Sequence, residues 1–162
     1  MRRRWVADAS PIILLSKVGR PGLLSTLARE ILIPQAVAEE IRQAPPDDPA
    51  RVWLDAKGKE FVEPTGPVAE EVAAWDLGYG EGRVLSFGLR HEGWTVLVDD
   101  EAARRCGEGL DVPVIGTLGL LVVAKREGAL EEVRPVIKAL RRAGLHVSSA
   151  VVERVLRMAE EE

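Results

Sequence analysis

The chain is poor in the residues that many catalytic and structural sites are built from. Its single cysteine, Cys106, in 162 residues allows neither an internal disulfide nor a thiolate metal cluster, and favours a reducing compartment. The two histidines, His91 and His146, have no paired spacing, and each reads as a surface residue rather than a catalytic base. Aromatic residues make up only 4%, so the core must be built from Leu, Val, Ile and Ala. No Gly-Lys-Ser/Thr occurs, which excludes a P-loop, and Gly78-x-Gly80-x-Gly82 has neither the spacing nor the preceding strand of a dinucleotide fingerprint. Ser16, Ser25 and Ser86 lack a nucleophile-elbow context. The longest apolar run, residues 118–124, is far too short to span a bilayer. The opening Met1-Arg2-Arg3-Arg4-Trp5 reaches Asp8 without the apolar stretch of a signal peptide. A soluble cytoplasmic protein with no membrane association is expected.

Positive charge is also in deficit. With 22 basic and 26 acidic side chains the net charge is −4, so no global field draws in a polyanion, which would need a local basic patch or a bound cation. What the chain does have is 46% hydrophobic and 30% charged residues, a balance that excludes disorder over most of its length. The length suffices for one core.

Trp5-Val6-Ala7 reads as a first strand ending on Asp8. Ser10 and Pro11 then have the character of an N-cap and first helical residue, opening a helix that runs to Gly19. A short helix over 23–29, a strand over 31–33 and a helix opened by Pro34 follow. The Pro-rich stretch 44–49 reads as a loop, residues 50–59 as a helical turn anchored by Trp53 and Leu54, and Phe61-Val62 as a weak strand. A helix is expected over 68–77, broken by the glycines at 78–82 and resumed over 83–90. Strands over 94–98 and 112–115 flank a short helix over 101–106. Three helices over 118–127, 130–143 and 149–161 close the chain, with Ser148-Ser149 offering an N-cap and Glu160-Glu161-Glu162 a solvated tail. Strands alternating with helices predict an α/β fold, a three-layer α/β/α arrangement around a mainly parallel sheet. Residues 1–162 are expected to form one domain, with 130–162 as a C-terminal helical extension.

Three of these strands end on polar groups: Asp8, the pair Asp99-Asp100, and Thr117. In an open parallel sheet such ends share one edge, where ligands bind beyond the carboxyl ends. Carboxylates crowded there repel one another unless a proton or cation compensates. The plain alternative is that each Asp caps the following helix. Glu40 falls on the helical face of Val37 and Ile41 rather than on the solvent face of Glu39. Glu81 follows Gly80 at a helix opening, where an acid also complements the helix dipole. Oxygen donors without a His or Cys partner suit Mg²⁺ or Mn²⁺ rather than zinc.

The sequence resembles the PIN-domain superfamily of metal-dependent ribonucleases, which includes VapC-type toxins, and within it a branch of short stand-alone prokaryotic proteins. The resemblance runs in order along essentially the whole chain. It rests on Val6-Ala7-Asp8-Ala9-Ser10-Pro11-Ile12-Ile13-Leu14-Leu15-Ser16-Lys17-Val18-Gly19, on Ile33-Pro34 with Val37 and Glu40, and on Leu77-Gly78-Tyr79-Gly80-Glu81. Leu97-Val98-Asp99-Asp100-Glu101-Ala102-Ala103-Arg104 and Pro113-Val114-Ile115-Gly116-Thr117-Leu118-Gly119 complete it.

This resemblance implies a PIN-like fold and an acidic tetrad at Asp8, Glu40, Glu81 and one of Asp99 or Asp100, with alignment by the strand end favouring Asp100. It implies hydroxyls at Ser10 and Thr117 that orient water or a phosphate oxygen. The implied activity is hydrolysis of an RNA phosphodiester by water that one or two Mg²⁺ or Mn²⁺ ions activate, about 3.5–4 Å apart if two are used. Lys17, Arg83 and Arg104 are candidates to hold flanking phosphates. The implied partners are an RNA substrate, a small antitoxin protein and a second copy in a homodimer. Two other readings compete: a non-catalytic PIN-fold module that binds RNA or protein, and a receiver-like or phosphatase-like domain. The latter needs a lysine after a late strand, and Gly116-Thr117-Leu118 offers none.

Overall fold

The computed structural model describes residues 3–161. Met1, Arg2 and Glu162, which enter the expectations about a signal peptide and a solvated tail, lie outside the described residues. Five parallel strands form one sheet in the order β3-β2-β1-β4-β5: β1 (Arg4–Ala7), β2 (Glu30–Pro34), β3 (Val62–Glu63), β4 (Thr95–Leu97) and β5 (Val114–Ile115). Helices cover both faces, giving the three-layer α/β/α fold. Strand β1 is central and pairs with both β2 and β4, with Ala7 opposite Leu97. Its Trp5, Val6 and Ala7 are all buried, as a strand covered on both faces requires.

The helices are α1 (Ala9–Lys17), α2 (Leu23–Leu27), α3 (Gln35–Ile41), α4 (Pro49–Ala56), α5 (Glu70–Ala73), α6 (Tyr79–Arg90), α7 (Glu101–Gly109), α8 (Thr117–Arg126), α9 (Arg134–Arg142) and α10 (Ser149–Met158). A 3-10 turn at Gly58–Phe61 precedes β3. The core is aliphatic, and its largest fully buried side chains are all Leu or Ile, among them Ile12, Leu15, Leu85, Leu120 and Leu140. Val136, Ile137, Leu140, Val155 and Leu156 from α9 and α10 join that same core. Among the described residues no helix is long and apolar enough to cross a membrane.

Several local expectations need correction. The helix expected over 68–77 shrinks to α5, because Asp76 turns into left-handed conformation at φ 52° and ends it. The glycines at 80 and 82 do not break a helix; α6 begins at Tyr79 and contains both. Each is a spacer, since a methyl group at Gly82 would stand 3.3 Å from Val68 Cγ2. The helix expected from residue 130 starts only at Arg134. Ser10 is not the N-cap of α1: Asp8 holds that place in extended conformation, and its side chain makes no capping bond. Pro11 still lies in the first turn, where its missing N–H leaves nothing unsatisfied.

The acidic tail is not simply solvated. The Glu161 carboxylate accepts from Val133 N at 2.6 Å and Arg134 N at 3.1 Å, and pairs with Lys125 Nζ at 2.9 Å. It thereby closes the start of α9, where free N–H groups attract an anion. Burial alone would raise its pKa, but the Val133 N–H, Lys125 and the Arg134 N–H together hold it below the ordinary 4.5. A carboxyl depressed in the folded state stabilises the fold above its unfolded pKa and loses that contribution as pH falls through the folded value. Glu161→Gln is therefore expected to lower unfolding free energy by about 1–2 kcal/mol at pH 7. The gap from wild type should narrow progressively as pH falls below the ordinary 4.5, as urea denaturation at pH 7 and pH 3 will show. A gap that persists unchanged at pH 3 would remove the ionised carboxylate as its cause.

Candidate active site

The strand order has a direct consequence for ligand binding. From β1 the chain builds outward through β2 and β3 on one side, then returns to build β4 and β5 on the other. The crevice beyond the carboxyl ends of β1 and β4 is thus a topological switch point, the usual ligand position in open α/β sheets. Asp8 follows β1 and Asp99 closely follows β4, and the Asp8 N–H donates to Leu97 O at 3.0 Å across the gap.

Asp8 is 5% exposed. Its pKa is raised from 3.8 to about 7: desolvation is the main cause, repulsion from Glu81, Glu40 and Asp99 adds to it, and the Ala9 N–H works the other way. Glu81 is raised as well, by burial first, then by Asp100 and Glu40, against the Gly78 N–H. Glu40, Asp99 and Asp100 thus lie near enough to act electrostatically on Asp8 or Glu81.

Helix α3 supplies Glu40. Its side chain is exposed rather than buried with Val37 and Ile41 as its helical face suggested, yet it reaches the same place. A methyl group at Gly80 would stand 3.1 Å from Asp8 Oδ1, 3.2 Å from Glu40 Oε1 and 3.2 Å from Val37 Cγ2. The bare backbone of α6 is what lets that helix lie against both carboxylates. Glu81, in the first turn of α6, is half-buried.

The adjacent acids differ in their surroundings. Asp99 is clasped by Thr117, whose backbone N–H donates to Oδ1 and whose hydroxyl donates to Oδ2, both at 2.7 Å. The Ser10 hydroxyl donates to the same Oδ2 at 3.3 Å. Ser10 and Thr117 thus both hold Asp99, and Thr117 is wholly buried. Asp100 is the N-cap of α7, accepting from Ala103 N at 3.0 Å, and is exposed.

Of the basic candidates, Arg104 comes close to the acids: a methyl group at Gly116 would stand 3.2 Å from its Nη1 and 3.0 Å from Asp99 Oδ1. It forms no ion pair among the described residues. Arg83 lies over the Tyr79 ring. Lys17 ends α1, about 13 Å along the helix axis from its start, and donates to Ala143 O at 3.5 Å, so it is not brought to the acids. His91 stacks on Phe87 and Cys106 is buried.

The donor set is therefore carboxylate oxygen throughout, which matches a hard divalent cation, and among the described residues the buried Asp8 forms no ion pair. Among the described residues, no three His, Cys, Asp or Glu groups are gathered tightly enough to close on one ion as they stand. Glu40 and Glu81 are the longer arms of the set. One residue of the site was not legible as such in the sequence, Gly80. The signal for Gly80 was a glycine two residues after another in an otherwise helical pattern, which reads equally as a break or as a spacer.

A family model described as a PIN domain matches residues 4–161. None of the curated proteins matches the chain.

Proposed function

The chain belongs to the PIN-domain family, whose members are generally nucleases, and on that premise we propose that it hydrolyses RNA phosphodiesters using Mg²⁺ or Mn²⁺ at its acidic cluster. The observation that carries this reading is Asp8. A carboxyl buried at the sheet's switch point, pushed up to about 7 by burial and by three neighbouring acids, is unfavourable for the fold alone and favourable for gripping a cation.

Asp8 and Asp99 would hold the ion from the floor, Glu40 and Glu81 from the rim, and Asp100 beside Glu81. Bound there, a divalent ion would lower the pKa of the attacking water and offset charge developing on the phosphoryl oxygens. Thr117 and Ser10 keep the Asp99 carboxylate in one orientation. Arg104, near Asp99, and Arg83, over the Tyr79 ring, would attract flanking phosphates and offset the acidity of the mouth. A small antitoxin partner and a homodimer belong to the same reading and rest on family resemblance.

With Mn²⁺ present, the chain is expected to cut a single-stranded RNA oligonucleotide, to stop when EDTA is added, and to slow by about a hundredfold or more as Asp8→Asn. Cleavage that persists undiminished in EDTA, or in Asp8→Asn, would sink the nuclease reading. The second reading is a PIN fold that binds RNA or protein without cutting. It draws on one observation, that no three acids close on a single point as they stand. Binding of the oligonucleotide without any cleavage would favour it.

A further inference from the structure

We propose that Tyr79 is a stacking platform for one unpaired nucleobase of the substrate strand, received in the hollow beside Glu40. The inference rests on reading the acidic cluster as an RNA site, and it adds the residue that receives a base of the strand.

Tyr79 is the only tyrosine in the chain, and the fold makes little use of it. Trp5 and Phe87 are buried, Trp53 stacks on Phe61, and Trp94 meets Phe87 edge-on. Tyr79 is 59% exposed. It opens α6, two residues before Glu81, so its backbone belongs to the same turn that carries a candidate catalytic acid. The Arg83 guanidinium lies 4.0 Å from the ring centroid, and Arg83 Nη1 donates to Tyr79 O at 3.4 Å. An exposed ring held by a cation is already in a fixed pose before any ligand arrives.

A hollow of about 330 Å³ opens beside the ring, walled by Ala36, Glu39, Glu40 and Gln43; Arg83 is not among its walls. Glu40 belongs both to this hollow and to the acidic cluster, so the two adjoin at that side chain. Two carboxylates in the wall repel a phosphate but accept from the N–H groups on a base edge, and the Gln43 amide both donates and accepts. The hollow is therefore suited to the neutral part of a nucleotide, with the next phosphate directed towards the ion site and Arg83 supplying positive charge nearby. A base can stack on a side chain only when it is out of a helix, so the substrate is single-stranded or has a loop at the cut.

The test uses the full chain carrying Asp8→Asn, with Mg²⁺, titrated with a short single-stranded oligoribonucleotide containing 2-aminopurine at successive positions. Stacking quenches that base. Quenching is expected at one position, with Tyr79→Phe retaining it and Tyr79→Ala losing it while binding about tenfold more weakly. The same sequence as a duplex should give no quenching. Because Tyr79 is exposed, both variants are expected to unfold at nearly the denaturant concentration of their Asp8→Asn parent. If Tyr79→Ala binds and quenches like its parent, the platform is overturned, while cleavage by wild type would keep the nuclease reading. Tyr79-dependent binding with no cleavage by wild type keeps the platform and removes the nuclease. No binding by any variant removes the platform outright.

Discussion

Asp8→Asn is expected to be more stable than wild type when no divalent ion is present, although it removes a candidate catalytic group. A pKa of about 7 in the folded chain against an ordinary 3.8 means that the folded state keeps a proton the unfolded state has released. Between those two values stability falls as pH rises, by about 1.4 kcal/mol per pH unit, and above the folded pKa the loss is complete. The variant has no charge to desolvate. It should therefore match wild type near pH 4 and exceed it by about 2–4 kcal/mol at pH 8, the range allowing for relaxation around the charge. Adding Mn²⁺ should reverse the order, because an ion that binds only the folded carboxylates stabilises wild type alone. Urea denaturation at pH 4, 6 and 8, with and without Mn²⁺, reads all of this. Equal stability of the two proteins across the whole range would show that Asp8 carries no buried charge.

Asp99 and Asp100 are neighbours in sequence and are expected to part by a wide margin when each is replaced by alanine. Asp99→Ala leaves the wholly buried Thr117 with an N–H and a hydroxyl that have lost their acceptor, at about 2–4 kcal/mol. Asp100→Ala removes one capping bond to Ala103 N, at about 1 kcal/mol. Cleavage should follow the same order, with Asp99→Ala slowed by about a hundredfold or more and Asp100→Ala much less, since Asp99 acts directly on the buried Asp8 while Asp100 is exposed and caps α7. Thr117→Val serves as a control, because it removes one of the two hydroxyls that donate to Asp99 Oδ2 without removing any charge. Greater loss of cleavage in Asp100→Ala than in Asp99→Ala would reverse the assignment. Alignment by the strand end favours Asp100, and the expectation for Asp99 rests on its place beside the buried Asp8, which no sequence displays.

The sheet was legible because buried parallel strands are written as unbroken apolar runs. Trp5-Val6-Ala7 followed by Asp8 gives both the strand and the acid at its end, and the apolar run before Asp99-Asp100 does the same. Strand order was not legible, and with it went the reason why these two ends, rather than any others, share a crevice. Helix ends were misjudged where a long-range contact decides them. Gly80 reads as a breaker until α3 and β1 are known to press against it. Ser10 reads as a cap until its hydroxyl is found on Asp99, 89 positions away. Glu161 looks like solvated tail until its carboxylate is found 28 residues back at Val133 N. In each case the local rule lost to a partner that only the fold brings near.

Gly80 also sets two selection pressures against each other at a single atom. Within a helix alanine is favoured over glycine, by up to roughly 1 kcal/mol in the interior and less in the first turn where Gly80 stands, so a search for hardier variants would turn to this position early. The methyl group gained would stand within 3.2 Å of an oxygen on Asp8 and another on Glu40, forcing both to give way. A chain improved by that standard would be a sturdier scaffold with a wider, looser mouth. Robustness and chemistry trade off here through the absence of one carbon.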